Sequence, residues 1–485
     1  MRYGVNNLWD NNQEGPYLIR HGTKPVRDFG RPRKGAGQDT HAVRNLFERS
    51  YPCLFPYGYG GLEAPQSDPV DFSSHVRWTL QYHDRRFRIH ESYPFFTFGI
   101  IQQRQALTTA RLQSRRTSFE RDAKILSTIT LDKLKDAQEQ EDRGVPISDP
   151  SVKLLRRHIY SGMGRIMGSD QSRTKLRSQI WSTTIKKGPP SLWITINPSD
   201  INDPIAQVFT GENIDLDSFI ATDGPSKKQR AKNVASDSYA AAKFFHFMIW
   251  TILETLFGIK VTNYQVKSRK GILGKISAYF GTVESQGRGT LHLHILIWLD
   301  DTPSADELVE LLKTEEFRDR VHSFIKANIR SYLPGLESAE SVKEITKDSD
   351  IAYSRPPNPS AEDYDDQLRT FELNVARAEQ IHTCKLRRCL IPGPDGVLRC
   401  KRRAPFKCST SDFVTEDGDW GSKRLYPYVN AWNPAVLVNA RCNNDIKLLT
   451  NGADTRNISF YITSYAAKKQ GRVHNTGCRV QYYSL

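Results

Sequence analysis

Apolar positions recur at helical spacing from about residue 93 to 140, among many arginines, and the pattern stops in the polar run Glu139-Gln140-Glu141-Asp142-Arg143-Gly144-Val145-Pro146, which reads as a linker. Ahead of it the chain is rich in turns; Tyr51-Pro52-Cys53-Leu54-Phe55-Pro56-Tyr57-Gly58-Tyr59-Gly60-Gly61 holds too much Pro and Gly for a long helix. Further basic helical segments follow from about 151. The period then changes to that of a strand, Leu192-Trp193-Ile194-Thr195-Ile196-Asn197, halted by Pro198. A long helix is predicted over about 238–257, with Asp237 as its N-cap and Gly258 as the residue that ends it. Two strands come next, 276–284 and 290–299, joined by the short loop Gln286-Gly287-Arg288-Gly289, which is a β-hairpin signal. A helix over about 304–330 carries Thr302 and Pro303 at its start. The segment 347–366, with Ser354-Arg355-Pro356-Pro357-Asn358-Pro359-Ser360, reads as a linker or exposed loop, and a last helix is predicted at about 457–470.

These elements imply an α+β protein in five parts. An irregular N-terminal arm covers 1–90, and a helical Arg-rich segment with its linker covers 91–150. The core with the hairpin covers 151–345, a linker with a Cys/His-rich element 346–410, and a C-terminal part 411–485. The 485 residues suffice for two or three hydrophobic cores.

Charge narrows the partners. Lys plus Arg number 69 against 54 Asp plus Glu, a formal net charge of +15, and such an excess draws polyanions, nucleic acid first among them. No segment runs ~18 apolar residues without interruption, so no membrane span is expected. The N-terminus lacks the charged start and apolar stretch of a secretory signal. Seven cysteines, four of them crowded between Cys384 and Cys408 beside a histidine, suit metal binding in a reducing compartment better than a disulfide framework.

Three groups of residues carry candidate chemistry. In Thr290-Leu291-His292-Leu293-His294-Ile295-Leu296-Ile297-Trp298-Leu299 the odd positions form an apolar stripe, which sets His292 and His294 together on the other face of a strand. Two imidazoles there could bind one metal ion, with Glu284 or Gln286 on the preceding strand as an oxygen ligand. A lone His-x-His pair is more often structural; the acid and amide on the facing arm are what give this one a shared task. The second group is Tyr461-Ile462-Thr463-Ser464-Tyr465-Ala466-Ala467-Lys468-Lys469, where i, i+4 spacing puts both phenols on one helix face with lysines a turn further on. Tyrosine pairs usually pack against a core, but a phenol can also attack phosphorus when its charge is stabilised. Third, His382 or Cys384 with Cys389, Cys400 and one more, such as Cys408, could hold structural Zn²⁺ and stiffen a basic finger, although the spacing matches no standard finger.

Taken in order, Glu284-Ser285-Gln286-Gly287-Arg288-Gly289-Thr290-Leu291-His292-Leu293-His294 and the later Tyr461-x-x-x-Tyr465-x-x-Lys468 resemble the replication-initiator domain of Helitron rolling-circle transposases, which are HUH nucleases. The runs Tyr51-Pro52-Cys53-Leu54-Phe55-Pro56-Tyr57-Gly58, Trp193-Ile194-Thr195-Ile196-Asn197-Pro198-Ser199-Asp200 and Ala440-Arg441-Cys442-Asn443-Asn444-Asp445 resemble that family too. The resemblance implies an antiparallel sheet of ferredoxin or RRM type. It further implies that His292, His294 and Gln286 or Glu284 hold Mg²⁺ or Mn²⁺ against a single-stranded DNA phosphate at a transposon end. Tyr461 or Tyr465 would form a 5′-phosphotyrosine, helped by Lys468, with Arg288 and Lys469 as DNA contacts. Where the family often has a lysine just before its second tyrosine, this chain has Ser464. No Gly-x-x-x-x-Gly-Lys-Ser/Thr phosphate loop occurs, so a helicase is expected from downstream sequence or in trans, and a DNA substrate implies a nuclear location. The alternatives are an inactive DNA-binding remnant of a transposon, or an unrelated hydrolase that uses the histidines without the tyrosines.

Overall fold

The computed structural model describes residues 46–450, apart from 63–69, 115–116, 221, 263–264, 286–289, 301, 349, 387–388 and 394. The chain divides into two compact units between Ser178 and Gln179, inside the helix Asp170–Lys187. The polar run read as a linker is instead a corner within the first unit. Helix Leu131–Asp142 runs through its first half, and the Gln140 side chain accepts from the Ser148 backbone N–H and donates to the Ser148 hydroxyl. Helix Pro150–Met163, capped by Asp149, starts just after.

In the first unit the helices Leu46–Ser50 and Phe72–Leu80 pack with Tyr93–Ser114 around Phe47, Tyr51, Phe55, Phe72, Phe87 and Tyr93, all buried. The described part of the arm, read as irregular, holds two helices packed through these rings. Tyr51 meets Tyr93 edge-on at 5.4 Å between ring centres, and the Tyr93 hydroxyl donates to Thr79 at 3.0 Å. The predicted helical stretch is present as Tyr93–Ser114, Phe119–Leu126 and Leu131–Asp142.

The second unit is built on a four-stranded antiparallel sheet. Its strands are β1 (Leu192–Asn197), β4 (Ile276–Ser285), β5 (Leu291–Leu299) and β10 (Asn443–Leu448), in the order β10-β1-β5-β4. Short ribbons pair β2 (Ile259–Val261) with β3 (Val266–Ser268), β6 (Leu390–Pro392) with β7 (Leu398–Cys400), and β8 (Phe413–Val414) with β9 (Trp420–Gly421). Alternation decides the faces: Leu192, Ile194 and Ile196 of β1, Leu293, Ile295 and Ile297 of β5 and Ile446 of β10 all point into one core. Helix Ser238–Thr251 covers that face with Phe244, Phe245, Met248 and Ile249, and Glu315–Asn328 adds Ile325. Asp237 caps the first of these as predicted, accepting from the Ala240 N–H. Past Thr251 the chain continues as a π turn, Ile252–Leu256, and stops at Gly258. Gly258 has φ +73°, and a Cβ there would lie 2.6 Å from the Arg269 carbonyl oxygen, so only glycine fits.

Two predicted elements differ. The single helix over about 304–330 is two, Ala305–Leu312 and Glu315–Asn328, because Thr314 adopts extended backbone between them. Its cap is Ser304, in a reciprocal capping box with Glu307, so Thr302 and Pro303 lie outside the helix. In the segment read as a linker or exposed loop, Lys347 and Asp348 are exposed, Ile351–Tyr353 form a 3-10 turn with all three side chains buried, and exposure prevails again from Arg355 on. The predicted helix at 457–470 lies outside the described residues. Among the described residues no helix is long and apolar enough to cross a membrane.

Ile194 is fully buried in a central strand. Ile194→Ala is expected to lower unfolding stability in urea by about 2–5 kcal/mol, and loss of the cap in Asp237→Ala by ~1 kcal/mol.

Candidate metal centre

The face of the sheet opposite the helices is polar at one end. Antiparallel pairing places Glu284 of β4 directly across from His292 of β5, and Thr282 across from His294. On the other side β1 sets Thr195 against His294, and β10 sets Asp445 against Thr195. Facing partners in an antiparallel ladder project to the same side, so one corner gathers Glu284, His292, His294, Thr195 and Asp445. This corner is not an open surface. His292 and His294 are only 7% and 8% exposed, and Leu296 and Trp298 beyond them are buried as well.

Side-chain geometry then converges on one point. The two Nε2 atoms stand 3.1 Å apart, and Glu284 Oε2 lies 3.1 Å from that of His292 and 3.6 Å from that of His294. Adjacent donors on an octahedral ion with bonds of about 2.1 Å stand about 3.0 Å apart, so the spacing fits three protein donors to a divalent cation. The Thr195 hydroxyl contacts His294 Nδ1 at 2.9 Å, which turns Nε2 toward the centre, as an outer partner of a metal-binding imidazole does. His292 Nδ1 has no hydrogen-bond partner among the described residues.

Electrostatics favour the same reading. Burial holds His294 down to about 4, with the neighbouring His292 adding to the effect. Burial also lowers His292, against the pull of Glu284, and the nearby Arg402 lowers it further. Both rings are therefore neutral near pH 7, the form that donates a lone pair to a metal. Burial raises Asp445, opposed by Lys447, Arg424 and Arg402.

A second cluster lies in the same unit. One ligand atom from each of His382, Cys384, Cys389 and Cys400 falls within 4.8 Å of the others, and so do those of Glu284, His292 and His294. His382 Nε2 is 3.3 Å from the sulfurs of both Cys384 and Cys400, near the ~3.6 Å expected between nitrogen and sulfur on a tetrahedral zinc ion. The Lys385 backbone N–H donates to the Cys389 sulfur at 3.2 Å, and backbone N–H groups of Arg402 and Ala404 bond to that of Cys400. Burial and the adjacent thiols push Cys384 up to about 11. Against burial, those backbone N–H groups help to lower Cys400, and a bound dication would make thiolates of the ligand sulfurs. Cys408, weighed as a further ligand, stands apart, its sulfur directed at the Leu425 carbonyl.

Residues 75–297 match the family model described as "Helitron helicase-like domain at N-terminus". The chain carries a Helitron helicase-like N-terminal domain. The matched span ends on β5, so this Helitron-like region includes Glu284, His292 and His294 but neither the Cys/His cluster nor the paired tyrosines. No curated protein matches the chain. Of the residues picked out in the sequence, Gln286, Arg288, Tyr461, Tyr465, Lys468 and Lys469 lie outside the described residues. The structure brings Glu284 to the histidines, and His382, Cys384, Cys389 and Cys400 to one another. Thr195, Asp445 and Arg402 carry no role in the sequence reading. The alternation in Asn443-Asn444-Asp445-Ile446-Lys447-Leu448 already sets Asp445 on the polar face, as Thr195 is set in β1, whereas nothing local signals Arg402.

Two measurements check this centre. His294 is depressed in the folded chain, so acid favours the unfolded state, which binds the extra proton. Stability should be constant above about pH 6.5 and fall by up to about 3 kcal/mol as the pH drops toward 4. His294→Gln should flatten that slope in denaturation curves taken across the window. Thr195→Val, which removes the outer partner of His294, should weaken Mn²⁺ binding by about 10- to 100-fold in calorimetric titration.

Proposed function

We propose that the chain nicks single-stranded DNA and transfers the cut strand through a 5′-phosphotyrosine, at the ends of a rolling-circle transposon. The convergence of Glu284, His292 and His294 on one point, inside a Helitron helicase-like region, is the observation that carries this reading. The strand order supports a ferredoxin or RRM type sheet of the HUH nucleases, since β1 and β5, the first and third strands of the sheet in sequence, are central, and β4 and β10, the second and fourth, are the edges.

Mg²⁺ or Mn²⁺ at the centre would polarise the scissile phosphate for in-line attack. The chain's own residues do the rest. Glu284, His292 and His294 would hold that ion and so set where the phosphate lies, and Thr195 holds His294 in the required orientation. A phenol oxygen of Tyr461 or Tyr465 attacks phosphorus; the bond to the 3′-oxygen breaks, and that oxygen leaves and takes a proton as a free 3′-OH. The phosphoester bond passes to the tyrosine, so the strand can be rejoined without an outside energy source. The second tyrosine can act on another strand while the first is loaded, with Lys468 stabilising phenolate charge. Gln286 is a further oxygen donor for the ion, and Arg288 and Lys469 contact the DNA backbone. Zn²⁺ suits the Cys/His cluster, whose sulfur-rich donors and tetrahedral spacing are those of a structural ion. Unwinding is assigned to a helicase partner, and the DNA substrate to the nucleus.

Incubation with single-stranded transposon-end DNA and Mn²⁺ should yield a covalent protein–DNA adduct on a denaturing gel. The adduct should disappear in the Tyr461→Phe, Tyr465→Phe double variant and in His292→Ala. Salt-sensitive binding with no adduct on any substrate would leave the DNA-binding remnant in its place. Metal-dependent cleavage that survives loss of both tyrosines would point to a hydrolase.

A further inference from the structure

The Cys/His cluster is rooted beside the metal centre. Asn197, at the end of β1, donates from its amide to the Asn443 side chain at 2.8 Å, and Asn443 in turn donates to the Glu379 carbonyl at 2.8 Å. One residue on, the Gln380 carbonyl accepts from the Asn430 N–H at 2.9 Å, and the His382 N–H donates to the Tyr428 carbonyl at 2.8 Å. The chain entering the cluster is thus sewn to the polar end of β1 and β10. His382 is the first ligand past that seam.

Among the described residues between Cys384 and Cys400 the arm has only a short ribbon of its own. The β6–β7 ribbon has three residue pairs, and Leu398 and Ile391 on it are exposed. What closes the arm is the convergence of His382, Cys384, Cys389 and Cys400, with the Lys401 N–H bonded to the Cys389 carbonyl at 2.7 Å. A tight turn follows Cys400. The Arg403 N–H donates back to the Cys400 carbonyl at 2.9 Å, and Arg403 has φ +61°, a left-handed conformation. Arg402 occupies this turn, exposed, with no ion-pair partner among the described residues. Asn197 and Asn443, which root the arm, pair with each other two residues along from the Thr195–Asp445 pair and on the same face of the sheet, so the arm starts at the end that carries the histidines, and the charge of Arg402 acts on His292, His382 and Asp445.

We propose that the Cys/His element is a zinc-dependent arm whose task is to hold Arg402 beside the Glu284–His292–His294 corner, where its guanidinium clamps a phosphate of the bound single strand. The chemistry suits this position. A guanidinium donates two parallel hydrogen bonds to phosphate oxygens and stays charged at any relevant pH. The carboxylates of the corner, Glu284 and Asp445, would repel a phosphodiester unless cations offset them; Lys447 and Arg424 act on Asp445 together with Arg402, and Arg402 acts on His292 as well. The far side of the turn is held where the Phe406 N–H donates to the Pro427 carbonyl at 2.7 Å, and its near side is held through Cys400, so a zinc ion that ties Cys400 to the other ligands would fix the direction of Arg402. Arg402 is here a binding and positioning residue. The zinc half of the proposal stands on the cluster alone, while the phosphate half rests on the DNA-nicking reading.

The test uses the full chain in excess Mg²⁺, with zinc content by elemental analysis and binding of a fluorescein-labelled oligothymidine by anisotropy. One zinc per chain is expected, lost in Cys389→Ser and Cys400→Ser. Arg402→Ala, an exposed change, should keep its zinc and the fold. It should bind the oligonucleotide roughly tenfold more weakly, with the slope of log affinity against log salt reduced by ~0.7, the loss of one phosphate contact. Removal of zinc from the unaltered chain by a zinc-selective chelator should weaken binding to the same degree and do nothing further to Arg402→Ala. Absence of zinc from the purified chain would overturn the arm. Equal oligonucleotide affinity of Arg402→Ala and the unaltered chain, or equal weakening of both by the chelator, would overturn the role of Arg402. An unaltered chain that holds zinc but fails to bind the oligonucleotide would overturn the phosphate role together with the DNA reading, and it is distinguished by that retained zinc.

Discussion

The pairing register of β1, β4 and β5 is the constraint on which the metal centre depends. Because strand side chains alternate with a period of two, a slip of one residue would turn His292 and His294 into the isoleucine core and bring Leu293 and Ile295 to the polar corner. Burial on the far face prevents it. Ile194, Ile196, Ile295 and Ile297 are at most 1% exposed, and fully burying such a side chain contributes about 1.5–3 kcal/mol. The apolar face thus holds the polar face in place. It also offsets the cost of burying two imidazoles and part of a carboxylate, groups that would be more stable in water if nothing bound them.

The same unit holds two donor sets of different character, each matched to a different task. Glu284, His292 and His294 come from two strands and offer nitrogen and oxygen, a three-donor set that would leave positions on a six-coordinate ion for a substrate oxygen. His382, Cys384, Cys389 and Cys400 come from an irregular arm and offer three sulfurs and one nitrogen within 4.8 Å of one another, a four-donor set suited to holding chain together. Fixed strands position chemistry well because their geometry needs no ligand. An arm with a two-strand ribbon does need one, since so small a ribbon buries too little to hold itself.

Where a feature depended on neighbours along the chain, the sequence alone decided it. The apolar stripe that splits β5 into a core face and a histidine face, the Asp237 cap, the stop at Gly258 and the Glu-bearing strand opposite the histidines all follow from period and turn chemistry within some ten residues. Misreadings arose where tertiary packing overrode local pattern: the corner around Gln140 was polar in sequence yet tied down by Ser148, and Thr314 broke a helix whose periodicity ran on. Tertiary structure by itself decided that Asp445 and Thr195 join the histidines, that four of the Cys/His residues share one focus, and that Arg402 stands near both. Asn197 and Asn443, which tie the arm to the sheet, are 246 positions apart. No local rule reaches across such a gap, because the entropy of closing it is met only by the whole core forming at once.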